Sequence, residues 1–203
     1  SSSVYGARTD APFQETDRCD TPESFYAATK MANELMAQAY FAQYKTPSLG
    51  LRFFTVYGPW GRPDMALFKF TKAIMNDEPI DVYNHGDMRR DFTYVDDIVE
   101  GIFRVIKTPP TQISPMHRVL NIGSNNPEKL MYFINTLEMC LSNSLNKKIE
   151  FKKEFEPIKP GDVHKTYAST KNLENLVGFK PQTSIEDGLQ KFTDWYVEYY
   201  KKG

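Results

Sequence analysis

A chain of 203 residues with 40% apolar residues can bury a substantial core in one compact domain or two small layers, which excludes disorder. Net charge is −1 and the 25 basic residues are spread along the chain, with a pI near 6.3, so neither nucleic acid nor an anionic membrane is called for. Cys19 and Cys140 are the only cysteines, too few for a disulfide framework or a metal site, and no stretch is apolar enough to span a bilayer; a reduced, cytoplasmic setting is expected.

Ser1 to Tyr5 reads as the carboxyl end of a strand. With no initiator methionine and no leader pattern before it, the sequence is expected to be part of a longer one. A polar loop with Pro12 and Pro22 follows. Ser24 then caps a helix in which Phe25, Ala28, Met31, Ala32, Leu35, Met36, Ala39 and Tyr40 recur at three- and four-residue steps to about Tyr44. The stripe from 31 to 40 reads as core or subunit interface. Tyr26 and Lys30 fall on one face of the first turns, where an ammonium favours a phenolate, and together they form a candidate acid/base pair. Alone the signal is weak: with 12 tyrosines and 17 lysines, chance supplies about one Tyr-x-x-x-Lys. A second, Tyr167 and Lys171, reads as a pair on a helix surface.

Pro47 ends that helix, and residues 49–54 form a short apolar strand of the kind buried in a parallel sheet. Residues 55–63 are a turn-rich loop suited to carry binding groups. Asp64 is read as the cap of a helix to about Met75, followed by a strand Ile80 to Tyr83, a polar turn over 84–90 and a strand Asp91 to Tyr94. The helix Val95 to Lys107 has Asp96, Asp97 and Glu100 near its positive end and Arg104 and Lys107 near its negative end. Then come a strand Arg118 to Ile122, a helix Leu130 to Leu141, a strand Ile149 to Phe151, a loop Pro157 to Asp162, a helix Ser169 to Val177 closed by Gly178, and a last helix from Ser184 to about Tyr200. His85 and His164 read as solvated turn residues. The alternation predicts an α/β layered fold. No glycine-rich phosphate loop is present, since Gly58-Pro59-Trp60-Gly61 lacks the third glycine and opens no helix.

Five stretches in one order carry a resemblance: Ser-Ser-Ser-Val-Tyr-Gly (1–6), Phe-Tyr-Ala-Ala-Thr-Lys (25–30), Leu-Arg-Phe-Phe-Thr-Val-Tyr-Gly-Pro-Trp-Gly-Arg-Pro-Asp-Met-Ala (51–66), Arg-Arg-Asp-Phe-Thr-Tyr-Val-Asp-Asp (89–97) and Lys-Pro-Gly-Asp (159–162). The chain resembles the extended short-chain dehydrogenase/reductases that act on nucleotide sugars, and among them the UDP-glucuronate 4-epimerases. The resemblance covers essentially all of the chain but only the carboxyl half to two thirds of the family's enzyme. It implies the carboxyl-terminal part of a Rossmann-type doubly wound parallel sheet that holds NAD, with a smaller α/β lobe that holds a UDP-sugar. Residues 1–60 would belong to the NAD lobe and 61–203 mainly to the sugar lobe, with about 91–122 returning to the sheet.

By the same resemblance Tyr26 is the base at the sugar 4-hydroxyl, Lys30 supports it and holds the nicotinamide ribose, and Ser1 shares the reacting hydroxyl with Ser2 and Ser3 beside it. Phe53 and Val56 would face the cofactor. Thr55 and Arg62 would flank the sugar, Arg90 (with Arg89 as competitor) clamp the diphosphate, Val82 and Tyr83 sandwich the uracil, Asp162 bind the uridine ribose, and Lys159 contact phosphate. A guanidinium near the sugar suits a C6 carboxylate. Making a phenol anionic at pH 7 takes roughly 4 kcal/mol, so Tyr26 needs its neighbours. The dehydratases of this group resemble one another in Asp-Glu before Val-Tyr-Gly, and the decarboxylases in a glutamate there. Here the positions are Ser2 and Ser3, which favours epimerisation of UDP-glucuronate to UDP-galacturonate, with UDP-glucose epimerisation or UDP-glucuronate decarboxylation as alternatives. The family resemblance implies a homodimer in the complete enzyme. A non-catalytic fragment that binds UDP-sugar or pairs with a missing amino-terminal half is the other reading, and the 203-residue chain alone is expected to be inactive.

Overall fold

In this computed structural model, residues 1–108, 116–158 and 164–201 are described. A 3-10 turn at Ser2–Tyr5 comes first. The longest helix begins where its cap predicts: Ser24 is extended, its Oγ accepts from the Ala27 amide at 3.1 Å, and α1 runs Phe25–Tyr44 until Lys45 turns left-handed. In chain order there follow β1 (Ser48–Phe53), β2 (Thr55–Tyr57), α2 (Ala66–Met75), β3 (Ile80–Tyr83), β4 (Arg89–Tyr94), α3 (Val95–Lys107), β5 (His117–Ile122), β6 (Pro127–Lys129), α4 (Leu130–Leu145), β7 (Lys153–Glu156), β8 (Lys165–Thr166), α5 (Lys171–Val177) and α6 (Ile185–Lys201).

This is an α/β fold built on parallel pairs. Strand β1 lies beside β5, with Leu51 opposite Leu120 and Phe53 opposite Ile122, and β2 lies beside β4, with Thr55 opposite Phe92. Strands β3 and β7 pair in parallel as well. Parallel neighbours need long crossovers, which is where α2, α3 and α4 lie. The first residues of β4 also pair antiparallel with β6 and parallel with β8.

The main core forms where Phe133, Ile134, Leu137, Cys140 and Leu141 of α4 meet Ile185, Leu189, Phe192 and Tyr196 of α6, over Ile80, Val82 and Tyr94. The three- and four-residue steps put each set on one helix face, and every large side chain fully buried there contributes about 1.5–3 kcal/mol. A second cluster joins Val4, Tyr5, Phe13, Phe54 and Ala168, and a third joins Ile98, Leu120, Ile122 and Leu173. Helix α1 is different. Its only buried residue is Ala27, and of the Met and Tyr stripe Met31 packs against the second cluster while Leu35, Met36 and Tyr40 are exposed.

Four expectations are corrected. Ser1 to Tyr5 is a 3-10 turn and not a strand end, because Ser1 satisfies the backbone locally: its carbonyl accepts from the Val4 amide and its Oγ from the Ser3 amide, both at 3.3 Å. Residues 149–151 are not a strand. The Ile149 amide is bonded by Ser142 Oγ at 3.0 Å and the Phe151 amide by Glu138 Oε1 at 3.2 Å, so α4 takes the donors a ladder would need, and pairing starts at Lys153. Asp64 caps nothing, because Arg62 holds it, and α2 begins at Ala66 with Met65 as an N-cap that lends no side-chain bond. Tyr167 and Lys171 do not share a helix. The cation over the Tyr167 ring is Lys165, at 4.5 Å, and α5 starts only at Lys171.

Candidate functional site

The cap on Ser24 fixes the register of the first turn of α1, and Tyr26 and Lys30 emerge on one side of it. Lys30 Nζ stands 5.3 Å from the centre of the Tyr26 ring. Tyr26 is 52% exposed. The serine run faces the same space: Ser1 Oγ and Ser3 Oγ are hydrogen-bonded at 3.0 Å, and the turn is held from behind by Val4 and Tyr5, both buried. A cleft of about 960 Å³ opens there, with Ser1, Ser2, Ser3, Tyr26, Lys30, Phe53, Thr55, Val56 and Arg62 all in its walls. Nine positions expected from three separate stretches of sequence thus share one cavity.

The far wall is the loop after β2. Gly58 has φ 140°, and a Cβ there would meet Val95 Cγ1 at 2.7 Å and Tyr94 Cε2 at 3.2 Å, so only glycine lets the loop lie this close to the start of α3. Trp60 is 71% exposed but supported from one side, its ring 5.1 Å from Trp195 and 5.0 Å from Tyr199 of α6. Beyond it Arg62 spreads its fork over Asp64, Nε to Oδ1 at 3.0 Å and Nη2 to Oδ2 at 2.5 Å. Those hydrogen bonds hold the Asp64 carboxyl below its usual range. The pair is fully solvated, so a ligand carboxylate can displace Asp64 from a guanidinium already set in the geometry that binds one.

Val82, Tyr83 and Arg90 lie apart from that cleft. The Val82 side chain is fully buried in the main core, so it has no face to offer a base and only its main chain could take part. Tyr83 closes β3 with its hydroxyl donated to Asp81 Oδ2 at 2.9 Å. Arg90 donates from Nη1 to the Arg89 carbonyl at 3.0 Å. The two regions are joined by β4, whose end runs beside β2 in the cleft wall while Arg90 stands two residues before Phe92, the partner of Thr55. Between them Asp91, wholly buried, accepts from Ser124 N at 2.9 Å, Ser124 Oγ at 2.6 Å and Asn125 N at 3.1 Å. That carboxylate pins the strand to the turn after β5. Lys159 and Asp162 lie outside the described residues.

Several smaller expectations meet their surroundings here. Asp97 does more than face the helix dipole, since its Oδ2 accepts from the Gln182 and Thr183 amides at 3.2 and 2.9 Å. His164 is not merely solvated: its Nε2 is 3.1 Å from Asp87 Oδ2. Cys19 and Cys140 are both free thiols.

Behind the cleft is a polar brace that sequence reading passed over. Arg52 of β1, buried, donates from Nε and Nη2 to the two oxygens of Glu34 on α1 at 2.9 and 2.8 Å. Its guanidinium lies 4.8 Å over the Tyr5 ring, and the Tyr5 hydroxyl donates to Asn121 Oδ1 at 2.7 Å. Burial pushes the Tyr5 pKa up to about 12. Burial also opposes the charge on Arg52, but Glu34 and Tyr5 outweigh it and hold its pKa above the ordinary value. The signal was present: Glu34 follows Lys30 by four residues, and a charged residue inside an apolar strand requires a partner.

Residues 1–123 match the NAD dependent epimerase/dehydratase family. Protein CapI of Staphylococcus aureus is 55% identical over all of this chain and 63% of its own length. The probable UDP-glucuronate 4-epimerase of Rhizobium meliloti is 46% identical, with 99% of this chain and 61% of the relative covered. Among solved structures, the UDP-glucuronic acid 4-epimerase of Bacillus cereus in complex with UDP-glucuronic acid and NAD superposes with a TM-score of 0.82 at 30% identity, covering 98% of this chain and 60% of that one. The chain therefore spans about three fifths of the length of these relatives.

Proposed function

We propose that this chain, which belongs to the NAD dependent epimerase/dehydratase family, carries the proton-transfer centre and the sugar-side wall of an NAD-dependent UDP-sugar 4-epimerase, with UDP-glucuronate as substrate. The observation that carries the reading is the single cleft shared by Tyr26, Lys30, the serine run and Arg62. A phenol, an adjacent ammonium and hydroxyls in the same cleft are what removal and return of a sugar hydroxyl proton require.

Tyr26 takes the proton of the 4-hydroxyl and later returns it. Lys30 offsets the charge left on the phenol, and Ser1 shares the reacting hydroxyl and holds its oxygen in line. NAD fits the same wall, where Phe53 and Val56 offer an apolar surface beside the hydrogen-bonding Lys30, and when bound it supplies the acceptor and donor of the C4 hydrogen. Thr55 and Arg62 orient the sugar. Arg62 exchanges Asp64 for the C6 carboxylate, and Ser2 and Ser3, which carry no carboxyl, leave no group beside the sugar to drive elimination. Arg90 neutralises the diphosphate, with Tyr83, the Val82 main chain and Asp162 toward the uridine. Residues 1–60 then serve mainly the NAD side and 61–203 mainly the sugar side, with 91–122 returning to the sheet. The parallel pairing of 117–122 with 48–53 supports that division.

The test is incubation of the complete protein with UDP-glucuronate and separation of UDP-galacturonate from UDP-xylose. UDP-galacturonate as product is expected; UDP-xylose would replace epimerisation by decarboxylation. Tyr26→Phe is expected to remove turnover and leave UDP-sugar binding intact, and unchanged rates would sink the assignment. The 203-residue chain alone is expected to be inactive and to retain no NAD, and turnover by it would refute that.

A further inference from the structure

Tyr26, Lys30 and Glu34 follow one another at four-residue steps on α1, so all three stand on one helix face about 5–6 Å apart at Cβ. The Lys30 ammonium therefore has two neighbours to choose from, an aromatic ring one turn back and a carboxylate one turn on. In a half-buried site a free carboxylate is the stronger partner. Yet Lys30 leans toward Tyr26, 5.3 Å from its ring. Both Glu34 oxygens are taken by the Arg52 fork at 2.9 and 2.8 Å.

We propose that Arg52 is a positioning residue for Lys30: by occupying Glu34 completely it keeps that carboxylate from drawing the ammonium away, and so leaves the ammonium to Tyr26. The inference rests on the reading of Tyr26 and Lys30 as the proton-transfer pair. Arg52 is suited to the task because it cannot leave. It is 5% exposed, and it lies over the ring of Tyr5. A lysine there would bind one oxygen as a point charge and free the other.

The charged and titratable groups around this contact are Lys30 and Glu34 on α1, Arg62 on the loop after β2, Arg52 on β1, Tyr5 at the 3-10 turn, and Arg8, Asp17 and Cys19 on the loop before α1. The experiment reads Tyr26 directly, by NMR titration of the complete protein carrying tyrosine labelled at Cζ, with the Tyr26 signal assigned by its loss in Tyr26→Phe. In Arg52→Met the titration midpoint is expected to rise, because Glu34 then binds the ammonium. In the double variant Glu34→Gln, Arg52→Met the midpoint is expected to return to that of the unsubstituted protein. An unchanged midpoint in folded Arg52→Met overturns the proposal, as does a double variant that stays as high as the single one, which would mark Arg52 as support for the fold alone. If Arg52→Met does not fold, Arg52→Lys carries the test: a smaller rise is expected and no rise overturns it. Loss of turnover does not enter this readout, so midpoints that behave as expected in a protein whose Tyr26→Phe variant still turns over would refute the functional reading and leave the positioning intact.

Discussion

Tyr5 is buried under Arg52 with its hydroxyl donated to Asn121 at 2.7 Å, and burial pushes its pKa up to about 12 from an ordinary value of 10. A raised folded pKa means the unfolded chain releases its proton first, so the stability Tyr5 contributes is complete below about pH 10 and lost as pH rises through about 12. Tyr5→Phe leaves Asn121 Oδ1 without that donor and is expected to cost about 1–3 kcal/mol near neutral pH. Urea unfolding of both proteins should show the difference between them shifting in favour of Tyr5→Phe by roughly 2–3 kcal/mol between about pH 10 and pH 12, closing or reversing the gap; a gap of constant size would refute it. Residues of this kind are hard to read from sequence. Tyr26 and Lys30 are four apart and announce each other, whereas Tyr5 and Asn121 are separated by most of the chain and meet only because β5 lies beside β1. Arg52 and Glu34 fall between these cases, since the strand and the helix were both legible and only their pairing was not.

At the scale of elements, the loop between β2 and α2 is held by one residue without a side chain and one with a large one. Gly58 approaches Val95 and Tyr94 too closely for any Cβ, and Trp60 rests on Trp195 and Tyr199. Gly58→Ala is expected to push the loop away from α3 and move Thr55 and Arg62 together. If the proposed site is correct, kcat/KM for UDP-glucuronate falls about 10- to 100-fold, while thermal unfolding moves only a few degrees. A fall in stability with activity kept would show that the loop does not set the site. Helices and strands with clear caps and periodicity, such as α1, α3 and α6, were legible to within a residue or two. Three of the four failures share a cause. At Ser1–Tyr5, Ile149–Phe151 and Asp64 a nearby side chain took the backbone or carboxyl group that the pattern had assigned elsewhere, and hydrogen-bond competition leaves no trace in hydrophobic spacing.

For the molecule as a whole, two surfaces stand out. Leu35, Met36, Tyr40 and Tyr44 on α1 are exposed, as are Val99, Phe103 and Ile106 on α3. Apolar faces of this extent are costly to leave in water. The isolated 203-residue chain is expected to sediment as a self-associated species, and Leu35→Glu with Tyr40→Lys to reduce the association; a monomer at all concentrations would refute this. No helix among the described residues is long and apolar enough to cross a membrane. That Tyr26, Lys30 and the serine run would share one cleft was legible because these residues occur in short, ordered stretches. The surroundings of Val82 were less so, since its burial depends on α4 and α6 packing over it from far along the chain.

The strand β4 ties these scales together. Its end lies beside β2, whose residues line the cleft, and its beginning carries Arg90, with Asp91 locked by the turn after β5 in between. Two residues of extended chain span about 7 Å, and the step cannot stretch. Strand β4 thus acts as a gauge that sets a fixed distance between Thr55 at one mark and Arg90 at the other; under the proposed function that distance is the one from sugar to diphosphate. One residue inserted between Arg90 and Phe92 would lengthen the gauge by about 3.3 Å and turn Arg90 to the opposite face of the sheet, a change no adjustment of the loops could restore.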